Sequence, residues 1–171
     1  PSGRPVAQLS FAANHLFSGF DPYAFKVTNL VIHAFCGLLI FSLTLRLLAS
    51  PRSPPRRHAL LFAGLVAVLW LLHPLQLTPV LHVVQRMTSL SALFLLGALL
   101  LHVIARERGG RLGALGVALA WGVLWPLSFF SKETGVLFPL FTLAWELIVR
   151  RSAHGGLDRF ARLLASATAL A

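Results

Sequence analysis

The sequence predicts an all-α, polytopic membrane bundle of about five transmembrane helices. Three observations carry that prediction. Of the 171 residues, 57% are hydrophobic and only 12% are charged, against about 25% charged in a soluble domain. The apolar residues gather into runs separated by short polar breaks. Those breaks alternate between arginine-rich and arginine-poor. A soluble fold of this composition would lack the polar residues to cover its outside. The net charge of +10 also fits nucleic-acid binding. However, the arginines sit in gaps between apolar runs and not along one amphipathic element, as in cytoplasmic loops. No nucleic-acid partner is expected.

Taken in order, residues 1–22 read as an outer loop that follows a span lying before Pro1. The five-span domain occupies 23–149. Its segments run from Tyr23 to Leu48, Ala59 to Leu72, Leu90 to Ile104, Leu112 to Phe130, and Gly135 to Val149. A helix needs ~20 residues to cross the hydrocarbon; the first and fourth segments meet that. The second, third and fifth are shorter, and their flanks extend them and snorkel toward the interface. Residues 150–171 read as a cytoplasmic loop and the cut-off start of a further helix, with Leu157–Ala171 amphipathic. The whole reads as an internal fragment of a longer protein.

Charge sets the direction of each pass. Arg46, Arg52, Arg56 and Arg57 surround the first gap, and Arg86 alone marks the second. Arg106, Arg108 and Arg111 hold the third, and Lys132 beside Glu133 the fourth. Arg150, Arg151, Arg159 and Arg162 follow the fifth segment. Under the positive-inside rule this is a serpentine, with residues 1–22, His73–Ser89 and Ser131–Thr134 outside. The four tryptophans, Trp70, Trp121, Trp125 and Trp145, fit either interfacial belts or packing. Cys36, the only cysteine, packs as a small hydrophobe.

Asp21-Pro22 is a helix start, with Asp as the N-cap and Pro in the first turn. Beyond it, Lys26, Asn29 and His33 recur at three and four and share one helix face. That polar stripe is either an interhelical hydrogen-bond seam or one wall of an externally open polar cavity. In His73–Ser89, Thr78-Pro79 repeats the start signal. His82, Arg86 and Ser89 then recur at four and three, which predicts one polar helical face. Arg86 is a snorkelling interface residue, a partner of Asp21 or Glu133, or a phosphate ligand, for which the guanidinium fork is suited. If the two outer turns meet, Lys132 adds a second cation, and Glu133 serves as its counter-ion or binds a substrate hydroxyl. Glu146 lies four before Arg150 and is expected to pair with it near the inner face. His33 and His102 lie within spans, and His73 precedes Pro74. No histidine pair has carboxylates placed for metal ligation, so no metal and no cofactor are expected in this chain. A divalent cation elsewhere in the full-length protein stays open.

Three blocks resemble a known family. Arg4-Pro5-Val6, Leu9-Ser10-Phe11, Asn14, Gly19, Asp21-Pro22, Asn29 and Ile32-His33 form the first. His73-Pro74-Leu75 with Val83-Val84-Gln85-Arg86-Met87-Thr88-Ser89-Leu90 form the second. Ser131-Lys132-Glu133 with Pro139 form the third. In that order they are similar to the membrane half of the transmembrane-and-tetratricopeptide-repeat (TMTC-like) proteins, above all their bacterial relatives. The resemblance implies a fragment of a GT-C type glycosyltransferase domain, with a polyprenyl-phosphate-linked sugar as donor. The acceptor is a protein Ser or Thr or a glycan, outside the cytoplasm. It implies an integral protein of the bacterial inner membrane with its site facing the periplasm. It also implies a catalytic acid in the first outer loop, before Pro1. Arg86, Lys132, Glu133 and His73 then bind substrate or the donor phosphate, while Asn29, His33 and His82 line the cavity. Two rivals stand beside it. A transporter or flippase of a lipid-linked substrate predicts pathway polar residues on both sides. A non-catalytic membrane anchor of a tetratricopeptide-repeat protein predicts no acidic site upstream.

Overall fold

The computed structural model describes residues 3–48 and 55–150. Among these every regular element is helical. They are α1 (Pro5–Ser18), α2 (Pro22–Leu48), α3 (Arg56–Leu71), α4 (Leu77–Leu81), α5 (Arg86–Arg108), α6 (Gly110–Leu119), α7 (Trp125–Ser131) and α8 (Phe138–Ala144). A wide π turn, Ala120–Leu124, joins α6 to α7, and another, Trp145–Arg150, extends α8. A 3-10 turn, Glu133–Leu137, precedes α8. Arg52, Arg151, Arg159, Arg162 and the expected helix start at Leu157–Ala171 lie outside the described residues.

Three helical stretches are long and apolar enough to cross a membrane: Pro22–Leu48, Val83–Arg108 and Gly110–Ser131. A fourth is reached if α3 and Pro74–Leu81, bent by 54° at their break, count as one span. Pro74 in the break removes a backbone donor and explains the bend. The fifth expected segment is helical from Glu133 to Arg150. It is not among those four, because Glu133, Glu146 and Arg150 interrupt its apolar length.

The contacts set the direction of every pass. Asn29, early in α2, meets Arg86 at the start of α5. Arg46, late in α2, meets Glu107 at the end of α5 at 2.7 Å. The two helices are therefore parallel. His33 of α2 touches the carbonyl of Leu71 at the end of α3, so α3 runs back. Ser91, early in α5, bonds Ser128 in α7, so α6–α7 also runs back. Arg106, late in α5, bonds Glu146 after α8, so that segment returns. Arg46, Arg106 and Arg150 thus gather at one end of the bundle, and Arg86, Lys132 and Glu133 at the other. The arginine-rich and arginine-poor breaks thus lie at opposite ends of the bundle, as their alternation predicts.

Local starts and stops follow the sequence. The Asp21 carboxylate accepts the Tyr23 N–H at 3.0 Å, the expected cap of α2. The expected outer loop contains a helix instead. Pro5 opens α1 in its first turn, and Gly19, at φ 58°, ends it; that backbone conformation suits glycine.

Small residues let the helices approach closely. A Cβ on Gly116 would come within 2.7 Å of the Ala105 Cβ, and one on Gly113 within 2.5 Å of the Ala105 carbonyl oxygen. Cys36 is buried with Ile32 and Leu90, as expected of a small hydrophobe. The tryptophans take the packing alternative: Trp70 stacks on His33, and Trp121 and Trp125 pack on Phe138. Trp145 is buried beside His102. Leu38, Leu61, Leu65, Leu69 and Leu115 stay exposed, as lipid-facing side chains do in a spanning helix.

Candidate functional site

The site is assembled at the Glu133 end from α1, α2, the start of α5 and the turn after α7. Its centre is Arg86, whose side chain is fully buried. Nε donates to Asn29 Oδ1 at 2.7 Å, and Nη2 donates to the Phe25 carbonyl at 2.9 Å. Nη1 reaches the Ser10 carbonyl at 3.3 Å and its hydroxyl at 3.4 Å. The Phe11 and Phe25 rings lie 4.9 and 5.1 Å from the guanidinium carbon, within cation–π range. Every guanidinium nitrogen therefore has a protein acceptor. The Asn29 amide donates in turn toward the Val80 and His82 carbonyls, at 3.4 and 3.5 Å. One arginine thus ties α1, α2 and α5 together.

A second layer lies beside it. Arg4 forks onto Glu133, with Nη2 at 2.7 and 2.9 Å from its two oxygens and Nε at 3.2 Å. Arg4 Nη1 packs against Met87 Sδ. Lys132 donates to Thr88 Oγ1 at 2.8 Å, and its side chain remains partly exposed. Beneath it the hydroxyls of Ser91, Ser128 and Thr134 are linked at 3.1 Å. Gly135 permits this turn: a Cβ there would fall 2.5 Å from the Phe129 nitrogen. The two turns expected to share a side therefore do meet. The partner of Glu133 is Arg4, and the partners of Arg86 are Asn29, Ser10 and Phe25; neither carboxylate considered from the sequence bonds Arg86.

The Arg4 guanidinium, chiefly through its hydrogen bonds, holds the Glu133 carboxyl below the usual carboxylate range. A lowered carboxylate pKa stabilises the fold above its unfolded value and ceases to do so as pH falls through the folded one. The α1 anchor therefore contributes fully above the ordinary carboxylate range and weakens progressively as pH falls below it, through the lowered folded value. Protection of the α1 amides, measured against their intrinsic exchange rates at each pH, is expected to fall on acidification through that range. In Glu133→Gln that protection should be low and independent of pH. An α1 that exchanges equally slowly in both proteins would show that the ion pair does not hold it.

Several expected residues take different places. His82, Arg86 and Ser89 do not share a helix face. The backbone is extended at His82, with φ −92° and ψ 115°, so α4 and α5 are separate helices and their periodicities are out of register. Arg86 and Ser89 are buried, whereas His82 is exposed and contributes its carbonyl. His73 caps the turn after α3, its Nδ1 accepting the Leu75 N–H at 3.3 Å. The polar stripe of α2 divides. Asn29 and His33 are buried in interhelical seams, His33 at 3.1 Å from the Leu71 carbonyl, while Lys26 is exposed. Two open hollows flank the α1–α2 hairpin. One, of about 470 Å³, is lined by Phe11, His15, Phe20 and Phe25. The other, of about 600 Å³, is lined by Ser10, Asn14, Phe17, Tyr23 and Thr28. Asn29, His33 and His82 line neither. Spacing did not reveal Arg4, Ser10, Phe11 or Thr88 as site residues; their only signal was membership of the family-like blocks.

At the arginine-rich end Glu146 makes its expected pair with Arg150, at 3.1 Å. It also takes Arg106 at 2.6 Å and lies 3.6 Å from His102 Nε2. Buried polar groups therefore occur at both ends. Among the described residues no group of three or more His, Cys, Asp or Glu is placed to hold a metal.

No family model matches the chain, and no solved structure matches it significantly. Over 166 residues, 95% of the chain, it is 25% identical to a protein O-mannosyl-transferase of Caenorhabditis elegans, covering 21% of that protein. Over 149 residues, 86% of the chain, it is 30% identical to protein O-mannosyl-transferase tmtc2 of Xenopus laevis, covering 17% of it. The chain spans about a fifth of the length of these curated relatives. These partial matches support a TMTC-like relationship of this helical membrane sequence to O-mannosyl-transferases.

Proposed function

We propose that this chain forms part of the membrane domain of a GT-C type glycosyltransferase that uses a polyprenyl-phosphate-linked sugar. One observation carries the reading. The three family-like blocks, as much as 129 positions apart in the Arg4–Glu133 pair, come together at a single end of the bundle. The similarity to O-mannosyl-transferases supports it. The acceptor is a hydroxyl of a protein Ser or Thr or of a glycan. A base takes the acceptor proton and the freed oxygen bonds the anomeric carbon. The bond to the phosphate oxygen breaks, and polyprenyl phosphate leaves with its electron pair. Arginine alternation supports placing the Glu133 end outside, and the resemblance to bacterial relatives supports the periplasmic face of an inner membrane.

Within this reading Lys132 meets the leaving phosphate, whose charge grows in the transition state. Arg86 is a positioning residue: its guanidinium is occupied by protein acceptors and would meet a phosphate only if α1 moved away. Glu133 is held by Arg4, and His73 sits at the turn after α3. The apolar hollow beside Phe11 and Phe25 offers room for part of an isoprenoid chain. Asp21 is spent as a helix cap, so the base is sought in the family's first outer loop.

Full-length protein in liposomes, given a polyprenyl-phosphate-linked mannose and an acceptor peptide, tests this. Lys132→Ala is expected to lower kcat about 100-fold with insertion and stability unchanged, and Lys132→Arg to retain most activity. Undiminished transfer by Lys132→Ala would refute the phosphate role. The buried groups at both ends favour the transporter reading as the second one. Against it, His102, Arg106 and Glu146 are mutually engaged, and Phe138, Trp121 and Trp125 pack between the two ends. Translocation of the lipid without sugar transfer in the same liposomes would select the transporter.

A further inference from the structure

The side chains of α1 are arranged inside out. Ala7, Ser10, Asn14 and Ser18, at spacings of three, four and four, form its buried or half-buried face. Leu9, Ala13, Leu16 and Phe17 recur at helical spacing on the open face, and Phe20 follows the Gly19 turn. Leu16 is 82% exposed, Phe17 92% and Phe20 87%, the most exposed large apolar side chains among the described residues. A surface helix in water shows the opposite pattern, polar outward and apolar inward. No acidic residue lies in α1. At 14 residues it is ~21 Å long, too short to cross the ~30 Å of hydrocarbon.

The placement of α1 points the same way. Arg4, just ahead of it, bonds Glu133 after α7. Ser10, midway along it, bonds Arg86 at the start of α5. A short turn through Gly19 then joins it to α2 at Pro22. The helix therefore lies across the Glu133 end of the bundle. Its open face continues into that of the spanning helix α2, where Tyr23, Val27, Leu30 and Val31 are exposed. Lys26, exposed one turn into α2, has no hydrogen-bond or ion-pair partner among the described residues, and the nearby Asp21 is spent as the α2 cap. A lysine and aromatic rings at such a level suit the headgroup boundary of a bilayer. We propose that α1 is an interfacial helix, with Leu16, Phe17 and Phe20 inserted among lipids where headgroups meet acyl chains. The apolar face of such a helix enters about 5–10 Å into that boundary, while the opposite face of α1 stays with the protein. The hollow lined by Phe11, His15, Phe20 and Phe25 then opens at headgroup depth. The inference holds whatever group the Glu133 end binds.

The test uses the full-length protein in phosphatidylcholine vesicles, with Cys36→Ala and any other cysteine replaced. Nitroxide labels are attached to Leu16→Cys and, separately, to Phe17→Cys. A label on Leu38→Cys, an exposed position within the α2 span, gives the lipid reference. Power saturation with oxygen and with a water-soluble nickel complex reads the surroundings of each label. Both α1 labels are expected about 5–10 Å below the lipid phosphates, with oxygen collisions exceeding nickel collisions as at Leu38. Both side chains are exposed, so the substitutions leave packing intact, and the second site serves if the first variant does not fold. Nickel collisions exceeding oxygen collisions at both sites would mean that α1 lies in water, and would overturn the proposal. Few collisions with either reagent would mean that protein covers the patch, and would overturn it equally.

Discussion

Arg86→Ala is expected to destabilise the bundle by about 3 kcal/mol, a loss that removes charge-assisted hydrogen bonds and strands their acceptors. The guanidinium is the shared donor of Asn29, Phe25 and Ser10. Without it the Asn29 oxygen faces a cavity with no replacement donor, while the Phe25 and Ser10 carbonyls keep only their helical N–H partners. The Phe11 and Phe25 rings lose the cation between them. Total stabilities of only about 5–15 kcal/mol make this a large fraction. Arg86→Lys should recover less than half, because one ammonium cannot span acceptors on α1 and α2 at once. Denaturant titration in micelles measures the loss, and hydrogen exchange locates it in α1. A change under about 0.5 kcal/mol, the range of ordinary surface substitutions, would show that the network does not hold the helices. The contrast with Lys132 separates their roles: Arg86→Ala lowers stability and transfer together, whereas Lys132→Ala lowers transfer alone.

Glu146→Ala should have a comparable or larger effect at the opposite end, about 3–5 kcal/mol, the usual result of removing one partner from a buried ion pair. It removes the carboxylate that Arg106, Arg150 and His102 share. Glu146→Gln keeps an acceptor and should cost less. The diagnostic variant is the double replacement Arg106→Leu with Glu146→Leu. Exchanging a buried ion pair for apolar side chains is often neutral, so the double variant should be more stable than Glu146→Ala. Strict additivity of the two single effects would show that the pair is not coupled.

Local chemistry was legible in the chain. The Asp21-Pro22 cap depends on an atom two residues away, and the Glu146–Arg150 pair on one helical turn. Both follow from spacing alone. The burial of Cys36 followed from its apolar run. Periodicity misled at His82, because it presumes an unbroken helix, and one extended residue there removes the shared face. It also missed α1, whose mixed composition hides a helix opened by Pro5 and closed by Gly19.

Composition and the alternation of arginines were enough to determine a helical membrane bundle and which polar breaks share an end. These properties are additive along the chain: each run is apolar or not, each gap basic or not, whatever its neighbours do. The tertiary structure alone decided what the charged residues do. Arg86 finds its acceptors 57, 61 and 76 positions away, and Arg106 finds Glu146 40 positions away. Whether an arginine is a buried tie or an open ligand depends on which groups surround it once the helices have packed, and no local pattern encodes that. The polar stretch around Arg86 is where the family-like blocks meet, but packing made Arg86 a buried tie and left Lys132 partly exposed.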